Sequence, residues 1–339
     1  MTRSDLVSWV REIYNQFGQQ KTMGKRVDDT TEPYYFLHRT FLGENDLLII
    51  FNTKKCRNRC SFCALSELGQ CEMVGEEDIL CQFRHIISEL RHSLSVFGRV
   101  TLSNNGSMLD EETFPAGALL AIAEAISNLR RVRTLVLETR LSVINTLSMK
   151  ALKSVLPKIG LDILTGLETC SPAIREKVLG KKETLAGFED GLDKVAATGA
   201  SLSSYILYKP DYKMTDEEAF YEAENSIDYL VKECGKRDIK LHCIRINPMF
   251  AAKGTHWSVE ALSEPLYLPP RLSDVMRLAE KKTAEGLKVY IGLSTEGLDE
   301  PGTSFYSRED YSSSLIRPIK LFNDRKIFSF RGEVPGWKY

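Results

Sequence analysis

Apolar residues along this 339-residue chain fall into two alternating rhythms: short buried runs, and stripes recurring every three or four residues. The first stripe, Leu6 to Phe17, predicts a helix with Leu6, Trp9, Val10, Ile13 and Phe17 on one face. A polar stretch from Gly18 to Glu32 predicts a loop, and Tyr34 to Leu37 a short strand. From residue 47 the rhythms alternate regularly. Strands are expected at Leu47–Asn52, Arg99–Ser103, Thr134–Glu138, Leu161–Leu167, Ser201–Tyr208, Ile239–Asn247 and Leu287–Leu293. Helices are expected between them: Glu76–Leu94, with Ile79, Phe83, Ile86, Ile87 and Leu90 on one face, Phe114–Leu129, residues 145–155, a segment after Pro172, Leu185–Thr198, Thr215–Glu233 and Ser273–Glu285. Thr215 followed by Glu218 reads as a capping box. Strands alternating with helices imply an α/β fold with a mostly parallel sheet. The expected organisation is a lead-in segment over 1–46, the alternating domain over 47–295 and a C-terminal extension over 296–339.

Composition narrows the class. An apolar fraction of 43% is enough for a sizeable core. No run of eighteen apolar residues exists, so no membrane partner is expected, and the N-terminus lacks the apolar core of a signal peptide. Eight cysteines in a chain of this length do not make a disulfide scaffold, which points to reducing cytoplasm. The net charge of −1 gives no global basic signature for nucleic acid. Basic clusters are local, at Lys21–Arg26, Lys54–Arg59, Arg130–Arg133 and Lys181-Lys182, and read as solvated faces, the second excepted because it borders the cysteines. The C-terminal extension mixes basic and aromatic residues (Arg325, Lys326, Phe328, Phe330, Arg331, Trp337, Lys338, Tyr339), as a nucleic-acid contact would, or else packs on the domain.

The candidate chemistry sits just after the first predicted parallel strand. Cys56, Cys60 and Cys63 are spaced C-x3-C-x2-C, with Phe62 before the last. Thiolates are soft ligands suited to iron–sulfur clusters. Three close cysteines on a four-iron cluster leave one iron open. Cys71 as a fourth ligand would instead make a closed zinc site. Cys170, Cys234 and Cys243 read as core packing, and Cys81 as helix packing or an auxiliary ligand. The five histidines show no metal-binding pairing, although His256 could touch substrate. No phosphate-binding loop is present.

Further polar segments recur at the C-terminal ends of the predicted strands. They are Ser103-Asn104-Asn105-Gly106-Ser107, Glu138-Thr139-Arg140, Gly166-Leu167-Glu168-Thr169, Lys209-Pro210 and Asn247-Pro248. Glu138 and Arg140, two apart on extended chain, point to one side. Each segment taken singly is also what an ordinary strand end looks like.

Together the cysteine motif and these segments resemble the radical S-adenosylmethionine (SAM) superfamily, in the branch of the Elongator catalytic subunit. With Tyr267-Leu268-Pro269-Pro270-Arg271-Leu272, they are most similar to the archaeal radical SAM enzymes of archaeosine formation. The resemblance covers roughly residues 45 to 295. It implies a partial (β/α)6 TIM-type barrel, with its active site at the C-terminal strand ends. It implies a [4Fe–4S] cluster held by Cys56, Cys60 and Cys63, with SAM on the open iron, cleaved to methionine and a 5′-deoxyadenosyl radical. It places Asn105, Gly106, Ser107, Glu138, Arg140 and Asn247 on the cofactor, and Glu168 and Lys209 at the reacting groups. It further implies C–N cleavage in a lysine-adducted 7-deazaguanine of tRNA, a partner protein that prepares that substrate, and a flavodoxin- or ferredoxin-type electron donor. Two alternatives stay open: radical SAM chemistry on a small molecule or another nucleoside, which the near-neutral charge favours, and a non-catalytic module stabilised by metal.

Overall fold

The computed structural model describes residues 27–63, 69–249, 251–252, 255–264, 267–293, 304–305 and 313–334. The helix expected over Leu6–Phe17 and the last tail residues, Trp337 to Tyr339, lie outside that range.

One curled sheet of eight strands organises the chain: β1 Tyr35–Phe41, β2 Glu44–Phe51, β3 Arg99–Asn104, β4 Thr134–Glu138, β5 Gly160–Glu168, β6 Ser201–Tyr208, β7 Leu241–Pro248 and β8 Val289–Ile291. Spatial order follows chain order. β1 pairs antiparallel with β2, and every later pair is parallel. The helices cross between strands: α1 Glu76–Glu89, α2 Ala116–Ser127, α3 Thr146–Val155, α4 Leu185–Thr198, α5 Asp216–Lys236, α6 His256–Ser263, α7 Leu272–Ala284 and, after the last strand, α8 Ser313–Asn323. This is the partial (β/α) barrel expected from the sequence.

The parallel strands are mostly buried on both sides, as strands covered by helices must be, while the antiparallel edge strand β1 is partly exposed. On one side Leu47, Ile49, Leu102, Leu135, Leu137, Leu161 and Ile163 join the apolar faces of α1 to α4 in one core. The other side faces into the barrel and is polar. Arg99, 1% exposed, has Asp46 and Asp162 at 3.9 and 3.7 Å and His242 at 3.1 Å, and its guanidinium lies 4.5 Å from the Phe41 ring centroid. Thr101 donates to Asp46 at 2.9 Å, and Ser201 and Ser203 each donate to Asp162 at 2.7 Å. Burial of two carboxylates is tolerable only with such a complete set of partners.

Local sequence explains several boundaries. The expected Phe114–Leu129 helix starts later because Pro115 occupies its N-cap. The expected Glu76–Leu94 helix ends at Glu89, and a separate short 3₁₀ turn follows at Leu94–Val96. After Pro172 the chain makes a single π-helical turn, Ile174–Val178. The Thr215–Glu218 capping box is formed in both directions at the start of α5. Thr215→Ala should therefore lower unfolding free energy by about 1 kcal/mol, read as a lower urea midpoint at unchanged slope.

At the far edge, the Asn323 amide of α8 accepts from Ile291 N at 2.8 Å and donates to Ile291 O at 2.7 Å. Among the described residues no helix is long and apolar enough to cross a membrane.

Candidate active site

The parallel strands all end at one mouth, and the residues just beyond them meet there. After β2 the chain turns at Asn52, whose backbone N–H and C=O are both held by the Gln82 amide of α1 at 2.9 Å. Lys55 N donates to Gln70 O and Gln70 N to Thr53 O, closing the base of the cysteine loop. Gly69 is needed there, because a Cβ would come within 2.5 Å of the Lys55 backbone. Inside the loop Cys63 N donates to Cys60 O, and Asn58 N lies 3.4 Å from Cys56 Sγ. The loop is then fastened to the segment after β5: Ser61 N donates to Leu179 O at 2.9 Å, and Ser61 Oγ to Val178 O at 2.7 Å.

Cys56, Cys60 and Cys63 line one cavity of about 290 Å³ at this mouth, together with Asn104, Gly106, Ser107, Glu138, Arg140, Thr165, Glu168, Lys181, Tyr205, Arg245 and Asn247. None of the three is in a disulfide. The larger groove between α5 and α7, about 720 Å³, lies on the helical outside, away from the strand ends.

Arg140 ties the mouth together. Its backbone N donates to Ser107 Oγ at 3.2 Å, Nη1 lies 3.6 Å from Cys60 Sγ, and Nη2 donates to Lys181 O. Lys181, 4% exposed, pairs with Glu168 at 3.2 Å. Glu168 has φ 65° and folds back over Gly166, where a Cβ would lie 1.9 Å from Glu168 Oε1. Burial pushes the Cys60 thiol up, and the nearby Lys181 and Arg140 charges oppose that. For Glu183 burial also pushes up, but Lys181, Arg140 and Arg175 outweigh it and hold the carboxyl below its ordinary range. Deeper in, the Tyr205 hydroxyl is hydrogen-bonded to Glu138, and Arg245 donates to it at 3.2 Å. Burial raises the Tyr205 hydroxyl well above its usual range.

Most of the residues singled out in the sequence thus meet in one cavity, Glu138 and Arg140 on the same side as expected. Two stand apart from it. Asn105 is fully buried behind the wall, where its Oδ1 accepts from Thr53 N at 3.2 Å, and its neighbour Asn104 lines the cavity instead. Lys209, at φ 64°, turns toward the start of α5 and pairs with Asp216 at 3.2 Å. Asp216 also has Arg271 at 3.5 Å.

Sequence reading missed Lys181, grouped with Lys182 as a solvated face, and it missed Thr165 and the Tyr205–Arg245 pair. For Tyr205 and Arg245 a signal was present: both belong to the inward-facing set of their strands and sit side by side in register.

A curled parallel sheet with three cysteines at its C-terminal mouth defines the class, and the chain resembles the radical SAM enzymes in both respects. The curated relatives sharpen this: the archaeosine synthase subunit beta of Methanosarcina acetivorans is 26% identical over 243 residues, 70% of this chain and 67% of that protein. An uncharacterized protein of Methanocaldococcus jannaschii is 23% identical over 301 residues, 85% of this chain and 80% of that one. Among solved structures, methylornithine synthase (PylB) aligns over 94% of this chain and 87% of that one, at 15% identity and a TM-score of 0.48. No family model matches the chain.

Proposed function

We propose that this chain is a radical SAM enzyme of tRNA modification, a C–N lyase of the archaeosine type acting on a lysine-adducted 7-deazaguanine. The observation that carries the chemistry is the meeting of three cysteines and several unsatisfied buried polar atoms in one cavity.

The donor set fits a four-iron cluster better than a closed zinc site. A zinc site needs four ligands around one ion. Among the described residues no three His, Cys, Asp or Glu side chains converge on a single metal ion, and Cys71 is exposed and outside the cavity lining. A [4Fe–4S] cluster spreads its thiolates over separate irons. SAM also fits. The Nδ2 of Asn104, the Oγ1 of Thr165 and the Oδ1 of Asn247 are buried in the cavity wall without hydrogen-bond partners. Such groups cost about 1–3 kcal/mol each unless a ligand satisfies them.

On this reading Cys56, Cys60 and Cys63 hold the cluster, and Asn104, Thr165 and Asn247 take the polar edges of SAM. Arg140 and Lys181 supply positive charge beside Cys60, and the Lys181 pairing keeps Glu168 turned into the cavity. The Glu138–Tyr205–Arg245 chain is preorganised at the inner wall of the cavity. Lys209 acts on the position of α5 rather than on the reacting atoms. When bound, the cluster and SAM together supply one-electron cleavage to methionine and a hydrogen-abstracting 5′-deoxyadenosyl group. The protein's share is to hold, orient and keep solvent out.

The substrate and partner rest on the relative's name, which describes an archaeosine synthase and calls it a subunit. The test is anaerobic reconstitution with iron and sulfide, then dithionite, SAM and tRNA carrying the lysine-modified base. Formamidine-bearing tRNA, with 5′-deoxyadenosine and methionine, is the expected product by mass spectrometry. SAM cleavage that leaves the tRNA unchanged would overturn the substrate, and no SAM cleavage at all would overturn the chemistry.

A further inference from the structure

Glu168 stands where β5 loses its regular register. The pairing with β6 shifts between Gly166 and Glu168, and Leu167 N donates to Ser204 Oγ at 3.1 Å. Thr169 N donates back to Leu167 O at 2.8 Å, closing a three-residue turn around Glu168 at its φ of 65°. A bulge of this kind re-aims a side chain, and a non-glycine residue stays left-handed only where its surroundings over-determine it. Two groups outside the cavity lining do so here. Fully buried Arg175, in the π-helical turn, donates through Nη1 to Leu167 O and, at 3.3 Å, to Thr169 O, the carbonyls of the residues on either side of Glu168. Its Nε and Nη2 donate to Glu183 O at 3.2 and 2.9 Å, which fixes the guanidinium. Glu222, on α5, grips from the helical layer. Its Oε1 accepts from Thr169 Oγ1 and, at 2.8 Å, from Ser226 Oγ. Thr169 Oγ1 in turn accepts from Ser171 N at 2.9 Å, and Ser226 Oγ from Cys170 N at 2.8 Å. The three residues after Glu168 are thus tied to α5 through one carboxyl oxygen. Glu222 Oε2 has no hydrogen-bond partner among the described residues. Burial pushes the Glu222 carboxyl up, and the two hydroxyls oppose that.

We infer that Glu222 is a positioning residue: with Arg175 as the fixed anchor, it holds Glu168 in its left-handed turn and so keeps the Glu168 carboxylate over Gly166 and against Lys181. The inference rests on the proposed function, which puts Glu168 beside the reacting groups. Gly166 leaves the room for that carboxylate, since a Cβ there would collide with it. Room alone does not hold a strained backbone. Arg175 fixes the carbonyls flanking Glu168, and the Glu222–Thr169 bond fixes the chain that leaves it. With the α5 grip gone, the residues after Glu168 are free to straighten and draw the carboxylate out of the cavity. Replacing Arg175 would also strand buried Glu183, its ion-pair partner at 3.3 Å, so the α5 grip is where position and stability separate.

The test uses the reconstituted full chain with SAM and the lysine-modified tRNA. Glu222→Met and Thr169→Val break the same hydrogen bond from its two ends. In each, kcat for tRNA conversion should fall about tenfold or more, with KM for SAM and iron content at wild-type values. Glu222→Gln keeps an oxygen acceptor for both hydroxyls and should stay within about threefold of wild type. In a Glu168→Gln background neither Glu222→Met nor Thr169→Val should cost anything further, because a positioning residue acts only through the group it holds. A crystal structure of Glu222→Met should show the Glu168 carboxylate withdrawn from Gly166. Losses that add to that of Glu168→Gln would overturn the inference, since the bond would then serve stability or another group. So would an undiminished kcat in Glu222→Met or in Glu168→Gln, loss of iron from either clasp variant, or a crystal structure with Glu168 unmoved. A wild type that leaves SAM or the tRNA unchanged would instead be the failure of the proposed function, and the crystal structure would still decide whether Glu222 holds Glu168.

Discussion

Cys60→Ala, reconstituted anaerobically, should hold almost no iron and release no 5′-deoxyadenosine, whereas Cys71→Ala should match wild type at about four irons per chain. The contrast follows from where the structure puts the two thiols. Cys60 lines the cavity, with Arg140 against its sulfur and Cys56 close enough to oppose its ionisation. Cys71 is exposed beyond the loop's closing bridge at Gln70. Its thiol has no place in a three-cysteine site and an essential place in a four-ligand zinc site. Iron and sulfide analysis of the two purified variants is enough to decide. Equal metal loss in both would sink the open-iron reading and favour the metal-stabilised module.

Arg99→Met should be the most destabilising single change in the barrel interior, lowering unfolding free energy by about 3–5 kcal/mol. Arg99 stands between Asp46 and Asp162, both fully buried. Removing it leaves two carboxylates with less positive charge than they were buried against. That loss is a large part of the roughly 5–15 kcal/mol by which a domain is stable. The companion Arg99→Met/Asp46→Asn/Asp162→Asn, which removes the stranded charges, should recover part of it. Urea unfolding of the two variants against wild type measures the coupling. If the single variant loses less than about 1 kcal/mol, the network is not a charge-balanced unit.

The framework was legible because it is written in local periodicity. The bounds expected for α4 and β6 match the structure, and the capping box at Thr215 is visible three residues from its partner. The cysteine motif was legible for the same reason, since its members are neighbours in sequence. The barrel interior was not. Asp46, Arg99, Asp162 and His242 come from four different strands, and no pattern shorter than the fold connects them. Lys181 shows the limit at a single position. Beside Lys182 it reads as solvated charge, but the turn at Gly180 sends one lysine inward onto Glu168 and leaves the other in water. Lys209 shows another limit. Its place after a strand was read correctly, yet its left-handed backbone swings the ammonium to Asp216 on the next helix.

The Asn323 amide on Ile291 has a consequence for the chain in a crowded solution. An incomplete barrel has free edges, and β8 is the one where strands of the parallel series stop. A side-chain amide carries the same donor and acceptor as a peptide group. Set against both backbone groups of Ile291, it occupies the positions that another chain's strand would seek. Arg325 does the same at Val289 O, so two side chains rather than closure of the barrel discourage strand-by-strand polymerisation at this edge.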